Sequence, residues 1–167
     1  LRALLDETPA IVWAEGEARE RLAAAQVTVQ ERSGLMPAGT LVIWSTPPGR
    51  AELQAALDAV QPRSVVVFGV DPADGSVEAF LRRLAGLVKY AVERMGGQVS
   101  LARLAGAAGQ RETAIRLGLE WMQARGLVRF SALEGGLAHL ETGSTASRAD
   151  STALLEQIRS ILEESAA

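Results

Sequence analysis

From residue 77 onward the apolar residues fall at helical spacing three times in succession, then switch to the alternation of two short strands. Val77–Met95 lays Phe80, Leu81, Leu84, Leu87, Val88, Ala91, Val92 and Met95 along one broad face. Leu101–Ala108 and residues 112–125 read as shorter helices. Residues 127–130 and 137–141 flank Glu134-Gly135-Gly136, the turn of a hairpin. Local signals agree with these boundaries. Ser76 is placed to cap the first helix, and Gly96-Gly97 to end it. Ser100 is placed to cap the second helix, with Val99 and Leu104 at the spacing of a hydrophobic staple. Gly126 stands where a left-handed cap would close the third helix.

The first half has a different rhythm. Residues 10–14 include Ile11, Val12 and Trp13 and read as a strand. Residues 17–25 place Ala18, Leu22 and Ala25 on one helical face. Residues 27–30 alternate as a strand does. Residues 41–45 and Ser64–Val70 are continuous apolar runs, the mark of strands covered on both faces. Arg50–Val60 between them is amphipathic through Leu53, Ala56, Leu57 and Val60. Strand–helix–strand succession implies parallel pairing with right-handed crossovers.

The expected fold class is therefore α/β: a small parallel-sheet module over residues 1–71, then a helical and hairpin module over 77–143. A last amphipathic helix within 147–167 carries Leu154, Leu155, Ile158, Ile161 and Leu162, which need a partner surface. Three helices followed by a hairpin is the outline of a winged helix, so the second module is expected to be winged-helix-like α+β. Asp71–Ser76 and residues 142–147 read as linkers.

Composition narrows the chemistry. Hydrophobic residues make up 48% and aromatics only 4%, so the core must be aliphatic. Cysteine is absent, which removes disulfides and thiolate metal sites and suits a reducing, cytoplasmic setting. No apolar run approaches the ~20 residues that span a bilayer, so no membrane role is expected. The first ten residues contain Arg2, Asp6 and Glu7 and do not read as a signal peptide. A start at leucine suggests a piece of a longer polypeptide. Net charge is −3, divided as −4 over 1–76, +3 over 77–143 and −2 over 144–167. The second module alone is basic, and only mildly so.

No catalytic constellation emerges. His139 is the only histidine and reads as a strand residue rather than a ligand. Asp71, Asp74 and Glu78 do not have the spacing of a calcium loop. Ser45 and Thr46 have no neighbouring base. Phosphate-loop motifs are absent, and Glu15-Gly16 and Thr46-Pro47-Pro48-Gly49 read as plain connections at the carboxyl ends of the strands. Trp13, Trp44 and Trp121 lie within apolar runs and read as core anchors. Arg111, Arg116 and Arg129 are the candidate DNA- or partner-binding residues. The first two lie at and within the would-be recognition helix, and the third at the base of the wing, where arginine meets phosphate. Glu112, Glu120 and Glu134 oppose them.

One resemblance runs through most of residues 10–141. Leu41-Val42-Ile43-Trp44-Ser45-Thr46-Pro47-Pro48, Leu53 to Leu57, and Pro62-Arg63-Ser64-Val65-Val66-Val67-Phe68-Gly69 are followed by residues 80–90, by Ser100 to Ala105, by Arg111 to Ile115 and by residues 121–128. The succession resembles the C-terminal region of RecJ, the bacterial single-stranded-DNA-specific exonuclease. The resemblance implies a non-catalytic accessory domain of a 5′→3′ exonuclease of DNA recombination and repair. Its parent would hold divalent manganese or magnesium in a separate DHH-bearing core, and no catalytic residue and no cofactor carries over to this chain. The implied partners are the catalytic core of the same polypeptide and single-strand-binding protein or a helicase, with weak or no direct DNA binding. Two other readings stand beside it. One is a stand-alone winged-helix transcription regulator with an α/β effector-sensing half, dimerising through residues 150–164. The other is a small-molecule-binding α/β protein with a site at Glu15-Gly16 and Thr46 to Gly49. Limited proteolysis should nick the two linkers before any strand, as mass spectrometry of the fragments would report.

Overall fold

A computed structural model describes residues 1–71, 75–132, 134–143 and 151–166. The linkers anticipated at 71–76 and 142–147 lie largely outside the described residues. The chain divides into two compact units, Leu1–Ala73 and Asp74–Ala167.

The first unit is α/β. Its elements are α1 (Arg2–Glu7), β1 (Ile11–Trp13), α2 (Gly16–Ala24), β2 (Thr40–Ser45), α3 (Arg50–Val60) and β3 (Ser64–Val70). The three strands form one parallel sheet in the order β1-β2-β3, with Ile11 beside Leu41 and Leu41 beside Val65. Strand β2 is central, and its apolar run is consumed on both sides. Leu41 and Ile43 pack with Trp13 against Ala56 and Val60 of α3. Val42 packs with Val12, Ala14 and Leu22 on the opposite face, where Leu4 and Leu5 of α1 join them.

Two expectations fail here. Residues 27–30 do not form a strand. Only Gln30 reaches the sheet, through a bridge to Trp13 in which its N–H donates to the Val12 carbonyl at 2.8 Å. Strand β3 is not covered on both faces either. It is the sheet edge, and Val65, Val67 and Phe68 are exposed, Val67 at 65%. The apolar pattern of a covered strand is present, but the helix that follows it packs elsewhere.

The second unit holds α4 (Val77–Met95), β4 (Gln98–Ser100), α5 (Leu101–Ala108), α6 (Glu112–Ala124), β5 (Val128–Ala132), β6 (Leu137–Thr142) and α7 (Ser151–Ala166). The strands form an antiparallel sheet in the order β4-β6-β5. The short strand β4 escaped the sequence reading because three residues between two helices leave no periodicity to detect. Phe80, Leu84, Val88 and Ala91 of α4 meet Leu101, Leu104, Ile115, Leu119, Val128 and Leu140 in one cluster, which Ile158 and Leu162 of α7 complete. The apolar face of the last helix thus finds its partner surface in α6 and α4.

The Ser76 hydroxyl accepts the Ala79 N–H at 3.2 Å, as a cap should. Ser100 occupies the cap position of α5 without a side-chain hydrogen bond. Gly97 joins α4 to the sheet with φ +80°, donating its N–H to Ala91 at 3.0 Å and accepting from the Leu140 N–H at 2.8 Å. A β-carbon there would lie 2.2 Å from the Leu140 carbonyl oxygen. Gly97→Ala therefore combines a left-handed backbone with a clash against main chain. It should destabilise the protein by about 2 kcal/mol or more, read from chemical denaturation.

Candidate functional site

The three arginines come from the segment expected to contact nucleic acid, and the structure gives each a different environment. Arg111 is the N-cap residue of α6 and is half-buried. Its guanidinium lies 3.4 Å from the Glu164 carboxylate of α7. Arg116, one turn further along α6, is exposed. Arg129 on β5 faces Glu141 directly across the hairpin, and the two side chains form an ion pair. Glu141 also sits 3.2 Å from His139 Nε2, so the lone histidine has a carboxylate two residues along its own strand. The arginines thus do not form one open cationic surface. Exposed pairs of this kind contribute little to stability, about 0–1 kcal/mol each. They do place negative charge beside two of the three cations.

Helix α7 adds to this. It packs on α6 and brings Glu163 and Glu164, both exposed, to the end of the chain that neighbours the α6 N-terminus through the Arg111 pair. Trp121 of α6 is half-buried, with Arg125 5.8 Å from its ring centroid. Its indole N–H is buried and finds no partner among the described residues.

At the carboxyl ends of the parallel strands, where ligands of open α/β sheets bind, stands a buried polar cluster that sequence reading missed. Glu15 follows β1 and is only 1% exposed. Its Oε1 accepts from Trp13 Nε1 at 2.9 Å and from Arg32 Nε at 2.7 Å. The second guanidinium nitrogen of Arg32 closes a two-pronged pair on Oε2. The Glu15 N–H donates to Ser45 Oγ at 3.0 Å, tying the end of β1 to the end of β2. Each carboxylate oxygen is engaged by the chain itself, so this is an internal clasp and not an open binding site. Glu15 and Arg32 lie seventeen positions apart, and no spacing rule links them. Trp13 is the core anchor expected of it. Trp44 is half-buried, its ring tilted against that of Phe68 with 4.8 Å between centroids.

A cleft of about 410 Å³ opens at the other end of this unit, lined by Pro9, Ile11, Thr28, Gln30, Met36 and Gly39. It lies at the amino ends of β1 and β2 and carries no charged side chain. Among the described residues no three His, Asp or Glu side chains gather as a metal site would require. Comparison with protein-family models, with characterised proteins and with solved structures returns no match.

Removing the carboxylate from the clasp would take the two-pronged acceptor from the half-buried Arg32 guanidinium and the acceptor from the Trp13 N–H. Glu15→Ala should therefore cost about 3–5 kcal/mol of stability. Glu15→Gln keeps an acceptor for Trp13 and should cost less. Urea unfolding curves of the two variants would check the order.

Proposed function

We propose that this chain is a non-catalytic accessory region of a RecJ-like 5′→3′ single-stranded-DNA exonuclease, and that its second unit recruits protein partners while touching DNA weakly or not at all. Two things support the family reading. One is the resemblance carried by residues 10–141. The other is the α4–β4–α5–α6–β5–β6 order, which follows the outline of a winged helix and in that reading puts α6 in the recognition position. Manganese or magnesium belongs, in this reading, to the nuclease core of the same cytoplasmic polypeptide.

One observation favours protein recruitment over DNA: Arg111 and Arg129 are each met by a glutamate of this chain, Glu164 and Glu141. A DNA-reading surface depends on cations left open to phosphate. Here α7 lies on the helix that would enter the groove and carries acid to its start. The same observation weighs against a dimeric transcription regulator. The dimer helix of that reading is α7, and its Ile158 and Leu162 are buried within this chain.

The coding region upstream of Leu1 tests the family. A DHH-bearing nuclease core there is the expected finding, and an unrelated domain would overturn the assignment. The isolated chain should leave single-stranded DNA intact with or without manganese; chelator-sensitive degradation by the purified chain would refute the accessory role. A low-salt DNA titration should give an affinity of about micromolar or weaker, independent of sequence and falling steeply with salt. Replacing Arg111, Arg116 and Arg129 together by Ala should weaken whatever binding is seen equally for all sequences. Tight, sequence-specific duplex binding would instead support the regulator.

A further inference from the structure

The sheet of the first unit has two unlike edges. Beside β1 the edge is occupied, since Gln30 bridges to Trp13. Beside β3 no strand pairs among the described residues. Seven residues, Ser64-Val65-Val66-Val67-Phe68-Gly69-Val70, therefore run along an open edge with no charged residue and no proline between them. Natural edges of this length are normally blunted by such residues. Several side chains are uncovered as well as the main chain, while Val66 packs toward Val42 and Trp44. Val65 and Val67 stand exposed on the face that α3 covers over β2, and Phe68 is exposed beside Trp44.

We propose that β3 is the seam of a homodimer, pairing antiparallel with β3 of a second copy of this chain. The charge pattern argues for that occupant and that direction. Arg63 immediately precedes the strand, Asp71 immediately follows it, and both are exposed. Parallel pairing in register would set Arg63 beside Arg63 and Asp71 beside Asp71. Antiparallel pairing brings opposite charges together at both ends of the seam.

The register follows from the strand's own irregularity. Pairing with β2 is regular to Val67, then jumps so that Ser45 meets Val70, with Gly69 at φ +65°. Ser64 to Phe68 are the strand residues that precede Gly69, and their midpoint is Val66. A two-fold axis there sets Val65 against Val67 of the second copy and Ser64 against Phe68. Because the bulge takes up one residue, Val70 then falls opposite Arg63 of the second copy. Asp71 lies one place further, within reach of that long side chain. Two valines from each copy close into one apolar patch on the α3 side. The interface is isologous and closed, so it yields a dimer of continuous six-stranded sheet rather than a growing fibre.

The inference is independent of the exonuclease reading, and its test measures association alone. Sedimentation equilibrium of the full chain should show a concentration-dependent dimer. Val65→Lys with Val67→Lys should give a monomer with an unchanged circular dichroism spectrum. Arg63→Asp should weaken the dimer by about tenfold, and Arg63→Asp with Asp71→Arg should restore it; both positions are exposed, so folding is not at stake. The chain has no cysteine, and Val66→Cys should cross-link under oxidation, because residues paired across such an axis lie about 4.5–5.5 Å apart at Cα. A monomer at every concentration would overturn the proposal. So would a dimer indifferent to the lysines, a charge reversal without rescue, or a dimer in which Val66→Cys stays reduced. A monomeric chain that captures a different protein through β3 would overturn it too, by giving the edge another occupant.

Discussion

Much of this molecule follows from where α4 buries its apolar face. A 19-residue helix with Phe80, Leu84, Val88 and Ala91 on one side must cover something. In a strand–helix alternation the expected place is the sheet just completed, over β3. Instead the face joins α5, α6 and α7 in an aliphatic cluster in which Phe80 is the one buried aromatic ring. One helix can serve only one core. The second unit gains its central helix, and the first is left with an edge strand whose Val65 and Val67 stay exposed.

This explains where sequence and structure part. Strand β2 was legible because its run of Leu41, Val42 and Ile43 is buried on both faces, as such a run suggests. Strand β3 carries the same signal, yet its position at the edge depends on the path of the chain after it, which no local pattern encodes. Residues 27–30 alternate correctly for a strand but make a single bridge, since alternation reports a face to bury and not a partner to pair with. The helices of the second unit were legible from their spacing and punctuation, including Ser76 as a cap. The strand Gln98–Ser100 was too short to leave a trace.

The polar contacts divide in the same way. The Arg129–Glu141 pair was implicit in the hairpin: a turn centred on Gly135 sets those two residues opposite each other. Nothing comparable announces the Arg111–Glu164 pair, which needs α7 to fold back on α6. Nor does anything announce the Glu15–Arg32 clasp, whose members meet only because β1 ends beside the loop leading to β2. Spacing finds contacts within an element or across a tight turn. Contacts that depend on tertiary return are invisible to it.

The two sheets also differ in how far along the chain their strands are gathered. Ile11 pairs with Leu41, thirty positions away, and Thr40 with Ser64, twenty-four away, whereas Ala132 and Ala138 pair across six. Closing long loops before any contact rewards them slows folding. The hairpin of the second unit can close locally as soon as it exists. The parallel sheet cannot be completed until Val70 joins strands gathered from as far back as Ile11. The longer closures thus belong to the first unit, whose final strand is added at the rim.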